Sequence, residues 1–288
     1  MVEELILVLG SRGQLALSFK KICPKNTIFL SSEDLDLTNT DKIFDALSKI
    51  APKYIFNFAA YNKVDNAETD NKNFLINSSA VKSIAEYCYK RDLPLVHIST
   101  DHVFDGIQGE YKESSKTNPL NKYGAAKLMG EEFIQSICTK YIIIRTAWLY
   151  SNTSENFLKK IISQFNKKTV NLMGATDIYG NPTSSDSLAL GIYEVYKKIN
   201  AGKNPWGIYH FANKGKASKY QFVCEINKLL ANKLETKEKT VISKKNVDFA
   251  LPAPRPYDTS LNVEKFEYEF DFLIPTWKEE LSRTIEAL

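Results

Sequence analysis

Short apolar runs and longer segments with helical spacing alternate through the first 150 residues of the chain. Five of the apolar runs have the length of a strand: LILVLG, TIFLSS, YIFNFAA, PLVHIST and YIIIRTAWLY. Because apolar strands separated by helices of ten or more residues form βαβ units, the pattern predicts an α/β protein. Its sheet should be parallel, doubly wound and covered by helices on both faces.

The alternation loosens after residue 150. Helical segments such as NFLKKIISQFNKK surround one short strand, GIYHFA, and the prolines of LPAPRPYDTSL require an extended loop. No repeat and no low-complexity linker separates the two halves. We therefore expect residues 1–150 to form one domain and residues 151–288 a smaller lobe, with the helix near residues 184–200 packing back on the first domain.

The composition, 43% apolar and 25% charged, is that of an ordinary globular protein. The longest apolar runs are far too short to span a membrane, and acidic residues stand where a signal peptide has basic ones. We therefore expect a cytoplasmic protein without membrane contact. The net charge of +4 is small, and glutamates interleave with the C-terminal lysines, which argues against nucleic-acid binding.

The cysteines and histidines give no sign of a metal site or of a disulfide framework. Four cysteines lie far apart, and the three histidines show neither helical pairing nor an acidic partner at ligand spacing. We expect four reduced thiols and no metal built into the fold.

The segment GSRGQLA, residues 10–16, stands where the first strand meets the next helix. A glycine there lets the backbone turn tightly and approach a pyrophosphate, whose charge meets the free N–H groups of the helix. This position favours a dinucleotide site in a Rossmann-type sheet over an ordinary β–α turn. The tip of the second strand offers Ser31 and Ser32, with Glu33 just beyond. Without a carboxylate at the tip itself, a 2′-phosphate is not repelled, and Arg12 could bind it. The cofactor is then NADPH or NADH, with NADPH preferred, although Arg12 could also be an ordinary surface residue.

Two Tyr-x-x-x-Lys pairs occur, Tyr123–Lys127 and Tyr193–Lys197, and with fifteen tyrosines chance alone supplies such pairs. Only the first follows a strand that ends in a hydroxyl residue, Thr100, at the edge where parallel sheets bind ligands. Reducing a ketone by hydride leaves an alkoxide that needs a proton. A phenol with a pKa of about 10 suits this task better when a lysine ammonium one helical turn away lowers that pKa. We therefore expect Tyr123 to donate the proton and Thr100 to orient the carbonyl.

Motifs along nearly the whole chain resemble those of the extended short-chain dehydrogenase/reductase family, and within it the dTDP-4-dehydrorhamnose reductase group. They are GSRGQL, DLT, NFAAYNKVDNAE, LINSSAV, STDHVFDG, NKYGAAKLMGE, RTAWLY, GNPTS and RPYDTSL. The resemblance implies that Thr100, Tyr123 and Lys127 are catalytic. On the cofactor side it implies Gly10, Arg12, Gly13, Gln14, Leu15, Asp36, Leu37, Ala59, Ala60, Tyr61 and Asn77, together with Tyr123 and Lys127. On the substrate side it implies Thr100, His102, Val103, Phe104, Trp148 and Arg255.

The resemblance implies NAD(P)H-dependent reduction of a 4-keto nucleotide sugar, typically dTDP-4-dehydro-L-rhamnose, by a protein that can form a homodimer. Departures from the group concentrate on the substrate side, where His102 replaces a tyrosine and Ala147 a serine. Three alternatives therefore stay open: a UDP-linked sugar, a GDP-linked sugar, or a non-catalytic regulatory subunit of the same fold. For Trp148 the alternative is a core aromatic, and for Arg255 a surface ion pair.

Overall fold

The computed structural model describes residues 4–167 and 170–288. The strands are β1 (Ile6–Leu9), β2 (Thr27–Leu30), β3 (Tyr54–Asn57), β4 (Leu95–Thr100), β5 (Tyr141–Thr146), β6 (Leu149–Tyr150), β7 (Leu172–Ala175), β8 (Tyr179–Gly180), β9 (Thr183–Ser184), β10 (Gly207–His210), β11 (Ala217–Ser218) and β12 (Val241–Lys244). The helices are α1 (Gln14–Lys20), α2 (Thr40–Ile50), α3 (Lys72–Phe74), α4 (Ala80–Arg91), α5 (Lys122–Ile137), α6 (Phe157–Phe165), α7 (Ser185–Asn200), α8 (Lys219–Lys233), α9 (Glu264–Phe270) and α10 (Trp277–Glu286).

Six strands form the central sheet in the order β2–β1–β3–β4–β5–β10, and every neighbouring pair is parallel. The predicted doubly wound α/β architecture is confirmed. After β2 the chain crosses to the other side of β1 to form β3, so the strand order reverses between β1 and β3. Open α/β sheets bind ligands in the crevice at the carboxyl ends of such strands.

The two faces of the sheet are covered by different helices because side chains alternate along each strand. In β1, Ile6 and Val8 belong to a core that includes α1 and α7, whereas Leu7 and Leu9 belong to a core that includes α2, α4 and α5. All four side chains are at most 2% exposed. Both faces are therefore dry, which explains why these strands read as unbroken apolar runs.

The smaller lobe has a hydrophobic core of its own, built from α6, α8 and α10 with β7. The proline-broken segment predicted to be extended reaches the loop between β4 and α5, where Tyr111 pairs with Leu261 in an isolated parallel bridge. The division at residue 150 stays a prediction, and the structure adds two connections across it. Strand β10 completes the main sheet beside β5, and α7 packs on α1 as expected.

No helix within the described ranges 4–167 and 170–288 has both the length and the apolar character needed to cross a lipid bilayer.

Candidate active site

A crevice of about 240 Å³ opens at the carboxyl ends of β1, β2 and β3, where the strand order reverses. Seven of the eleven residues expected only on the cofactor side line it: Gly10, Arg12, Gly13, Asp36, Leu37, Ala59 and Ala60. Ser31 and Ser32 line it as well. The shape of the crevice depends on Gly10, whose φ is +89° and whose added Cβ would lie 2.7 Å from the backbone of Ala59. The residues present fit a dinucleotide, because glycine lets the turn after β1 approach the backbone after β3 at the reversal of the strand order, where open α/β sheets bind such ligands.

Four other residues expected on the cofactor side lie behind the crevice. Gln14 accepts a hydrogen bond from Asn156, and Leu15 is packed in the core. Asn77 is fully buried, and its amide bonds both the N–H and the carbonyl of Tyr61. Asn77 therefore holds the backbone that follows the crevice rather than lining it.

Arg12 forms an ion pair with Glu33, and both side chains are mostly exposed. The pKa of Glu33 is lowered by this contact. Glu33, which stands just beyond the tip of β2, therefore pairs with the arginine that was expected to favour NADPH.

Thr100 and Tyr123 meet at the end of β4. The Thr100 hydroxyl donates to Asp101 at 3.1 Å, and it lies close enough to the phenol to affect the pKa of Tyr123. The pKa of Tyr123 is raised to about 12, first because burial disfavours the phenolate and then because Asp101 is negative, while the bond with Thr100 opposes the rise. This differs from the expectation of a lowered phenol pKa, and the reason is the position of the lysine.

Lys127 is 1% exposed, and its amine is turned toward β4 rather than toward the phenol. Its Nζ donates to the carbonyl of Ile98 at 2.6 Å and lies 3.2 Å from Nε2 of His97. Burial lowers the pKa of Lys127 to about 8, against the effect of Glu131. With a pKa of about 8, the amine is not a fixed charge near neutral pH.

Close packing at the start of α5 determines where Tyr123 lies relative to the end of β4. Asn121 caps the helix by accepting from the N–H of Gly124 at 2.8 Å. A Cβ on Gly124 would lie 2.2 Å from the carbonyl oxygen of His102, so only glycine lets the helix approach the turn after β4 this closely. The motif NKYGAAK therefore fixes Tyr123 against Thr100.

A second cavity of about 480 Å³ lies between the sheet and the smaller lobe. Its wall is largely apolar and includes Phe157, Ile161, Met173, Ile178, Phe249 and Leu251. Three of the residues expected on the substrate side line it: His102, Trp148 and Arg255. A cavity of this volume accommodates a small ligand.

His102 presents a defined hydrogen-bond donor to this cavity. Asn121 uses its oxygen for the helix cap, so its Nδ2 donates to Nδ1 of His102 at 3.0 Å. The pKa of His102 is lowered by burial. A neutral ring that accepts at Nδ1 carries its hydrogen on Nε2, so His102 is a donor.

Three cations line the cavity, Lys160, Lys219 and Arg255, and of these only Arg255 was expected from the sequence. Arg255 is paired with Asp65 at 2.9 Å and is 17% exposed. Lys219 lies with its Nζ 3.2 Å from the centroid of the Trp148 ring, and burial lowers its pKa to about 7. Asp65 stood in a quoted motif without an assigned role, whereas Lys219, at the start of an ordinary amphipathic helix, had no distinguishing context.

Trp148 has a φ of +44°, an unusual backbone conformation for a bulky residue. Such conformations cluster at functional sites. The expectation for the two residues after His102 needs correction. Val103 and Phe104 are fully buried in the core, and Phe104 stacks on Tyr111, so neither lines the cavity.

The sequence profile described as the RmlD substrate binding domain matches residues 4–288. A dTDP-4-dehydrorhamnose reductase of Aggregatibacter actinomycetemcomitans is 31% identical over 284 residues, which cover 96% of each chain. The crystal structure of the dTDP-4-dehydrorhamnose reductase of Bacillus anthracis in complex with NADP has a TM-score of 0.91 and 27% identity over 100% of both chains. That of the Clostridium acetobutylicum enzyme has a TM-score of 0.89 and 32% identity over 98% of both. The chain therefore belongs to the dTDP-4-dehydrorhamnose reductase family of extended short-chain dehydrogenases/reductases.

Proposed function

We propose that this protein reduces the 4-keto group of dTDP-4-dehydro-L-rhamnose to dTDP-L-rhamnose, with NADPH or NADH as the hydride donor. The observation that carries the proposal is the position of Thr100 and Tyr123. They lie at the end of β4 beside His102, which lines the larger cavity: the N–H of His102 donates to Thr100, and the ring centroids of His102 and Tyr123 are 5.6 Å apart. Full-length relatives with this activity in their names support the same conclusion.

The bound dinucleotide supplies the hydride, and the chain supplies the proton. Because the pKa of Tyr123 is raised to about 12, the phenol stays protonated at neutral pH and is ready to give its proton to the forming alkoxide. The Thr100 hydroxyl, already in contact with the phenol, orients the carbonyl oxygen. Lys127 returns a proton to Tyr123 when its amine turns from the carbonyl of Ile98 toward the phenol, since a pKa of about 8 lets it exchange protons near neutrality.

The sugar nucleotide occupies the larger cavity. His102 donates its Nε2–H to a sugar hydroxyl. It therefore replaces the hydrogen-bonding role of the tyrosine found in other family members and does not merely occupy the same volume. Arg255 and Lys219 provide the positive charge for a diphosphate, and the apolar wall around Phe157 receives the base. The dinucleotide contacts are the seven crevice residues together with Tyr123 and Lys127.

The remaining expectations belong to the same proposal. The protein acts in the cytoplasm, where thiols stay reduced, and all four cysteines are unpaired in the structure. It forms a homodimer, since a two-fold pair is the commonest assembly. The non-catalytic alternative is disfavoured because Thr100 and Tyr123 are in contact and Lys127 is buried beside β4.

The test is turnover of purified protein with NADPH and dTDP-4-dehydro-L-rhamnose, beside UDP- and GDP-linked 4-keto sugars. Tyr123→Phe should lower kcat by about 10²–10⁴-fold and weaken NADPH binding much less. Tyr193→Phe is the matched control, because that tyrosine belongs to the second pair, whose Lys197 is bound to Glu194 on the surface. An unchanged rate in Tyr123→Phe refutes the assigned chemistry, and turnover of only a UDP or GDP sugar refutes the substrate.

A further inference from the structure

Three buried side chains connect the dinucleotide crevice to the catalytic lysine. Asn57 is 1% exposed, His97 0% and Lys127 1%. Nδ2 of Asn57 lies 3.1 Å from Nδ1 of His97, and Nε2 of His97 lies 3.2 Å from Nζ of Lys127. At the crevice end, the N–H of Ala59 donates to Oδ1 of Asn57 at 3.2 Å. The proposed chemistry uses only the last member of this chain.

The hydrogens of this chain can be assigned by counting donors and acceptors. The oxygen of Asn57 is taken by Ala59, so its NH₂ group faces His97 and Nδ1 must accept. A neutral imidazole then carries its one hydrogen on Nε2, which points at Lys127. An ammonium has no lone pair to accept that hydrogen. In this arrangement Lys127 is therefore a neutral amine that accepts from His97 and donates to the carbonyl of Ile98.

The neighbouring charged groups among the described residues do not favour a different assignment of these hydrogens. A doubly protonated imidazole is excluded, because burial holds the pKa of His97 well below its ordinary range. From α5 itself Glu131 acts on Lys127, and Glu131 is neutralised by Arg145 of β5 at 2.6 Å. From the turn after β4, Asp101 acts on Tyr123.

A charged Lys127 requires the opposite arrangement. His97 must accept at Nε2 and carry its hydrogen on Nδ1, and Asn57 must then turn its oxygen toward His97. The NH₂ group of Asn57 would face the N–H of Ala59, which loses its acceptor. Ala59 lines the crevice, where a bound ligand can replace the acceptor that its N–H has lost. The net change is one proton gained at Nζ, since His97 loses one hydrogen at Nε2 and gains one at Nδ1.

We propose that Asn57 and His97 are positioning residues that couple the charge on Lys127 to the backbone N–H of Ala59, so that binding of the dinucleotide and protonation of the catalytic lysine favour each other. This inference rests on the proposed function, because it takes the crevice to be the dinucleotide site. Coupling of this kind is reciprocal. The dinucleotide brings Lys127 to the charged form, and raising the pH weakens dinucleotide binding.

The direct test is the tautomer of His97, read from the ring ¹⁵N chemical shifts of the full-length protein. The chain has three histidines, and a His97→Gln variant assigns the signal. Without ligand at pH above 8 we expect hydrogen on Nε2, and on addition of NADPH we expect hydrogen on Nδ1. An Nδ1–H tautomer in the free protein, or a tautomer that NADPH leaves unchanged, overturns the proposal.

The second test is the pH dependence of the dissociation constant for NADPH. For the unaltered protein we expect affinity to fall about fivefold or more as the pH rises through the pKa of Lys127, about 8. Asn57→Asp should abolish this step, because a carboxylate accepts from both Ala59 and Nδ1 and so fixes the second tautomer. Asn62→Asp is the matched control: it adds the same charge at the crevice rim, so affinity should fall at every pH while the step remains.

The outcomes separate this inference from the function on which it rests. If the protein reduces the dTDP sugar but the step persists in folded Asn57→Asp, only the coupling is refuted. If no nucleotide sugar is reduced but the tautomer follows NADPH, the substrate is refuted and the coupling stands. Should Asn57→Asp fail to fold, the tautomer of the unaltered protein still decides.

Discussion

Removing the carboxylate of Glu131 tests how burial changes the contribution of an ion pair to the free energy of unfolding. Glu131 and Arg145 are 0% and 3% exposed at the side chain, and Arg145 approaches the carboxylate with Nη2 at 2.6 Å and Nε at 3.0 Å. Nη1 of Arg145 has no partner among the described residues. Glu131→Gln leaves a buried guanidinium without its counter-charge, and we expect the free energy of unfolding to drop by about 3–5 kcal/mol.

The chain offers a control with the same separation in a different setting. Lys140 and Asp92 also lie 2.6 Å apart, but their side chains are 36% and 73% exposed. Asp92 has a φ of 56°, a conformation that asparagine tolerates, so Asp92→Asn removes the charge without straining the backbone. We expect a loss of less than about 1 kcal/mol, since solvent screens an exposed pair.

The assay is urea unfolding followed by circular dichroism and tryptophan fluorescence at neutral pH. The double variant Glu131→Leu with Arg145→Met should recover most of the stability, because replacing both members of a buried pair by apolar groups is often close to neutral. Equal losses for the Glu131 and Asp92 variants, or no recovery in the double variant, would refute the argument that desolvation governs the first pair.

Three further outcomes follow from the same structure. Lys219→Met should weaken dTDP binding about tenfold, because it removes one charge-assisted contact with a phosphate, and it should not change the affinity for NADPH. In the unaltered protein, the affinity for dTDP should fall as the pH rises through about 7, where Lys219 loses its charge. Calorimetry can follow both changes. Glu33→Gln frees Arg12 for a 2′-phosphate, so the ratio of kcat/KM for NADPH over NADH should increase. Burial lowers the pKa of His210 to about 3, so in mildly acidic solution the unfolded chain binds a proton at this residue and the folded chain does not. Between about pH 6.5 and pH 3, therefore, stability should fall by up to about 1.4 kcal/mol per pH unit from this residue, and urea midpoints of His210→Gln should show a shallower slope.

The features that the sequence predicted correctly are those that depend on a local residue pattern. Strands buried on both faces appear as unbroken apolar runs, and the cap and small residues of NKYGAAK mark a helix that must approach a strand end. The assignment of β4, α5 and the Thr100–Tyr123 contact depended on those signals.

What the sequence could not predict depends on partners far along the chain. The contact of Lys219 with Trp148 joins residues 71 positions apart, and the pairing of Arg255 with Asp65 joins residues 190 apart. The phenol pKa was predicted in the wrong direction because the spacing of Tyr123 and Lys127 does not reveal which way the amine turns. That orientation is set by the carbonyl of Ile98 and by His97, on a strand about thirty residues earlier.

The place of β10 in the main sheet bears on how the chain is made. Until residues 207–210 have left the ribosome, the outer edge of β5 has no neighbour, and its unpaired N–H and C=O groups can recruit a strand from another nascent chain. The first half of the protein can therefore collapse early but cannot seal its sheet during synthesis. Fragments that stop near residue 150 should aggregate, whereas the two halves expressed together should reassemble.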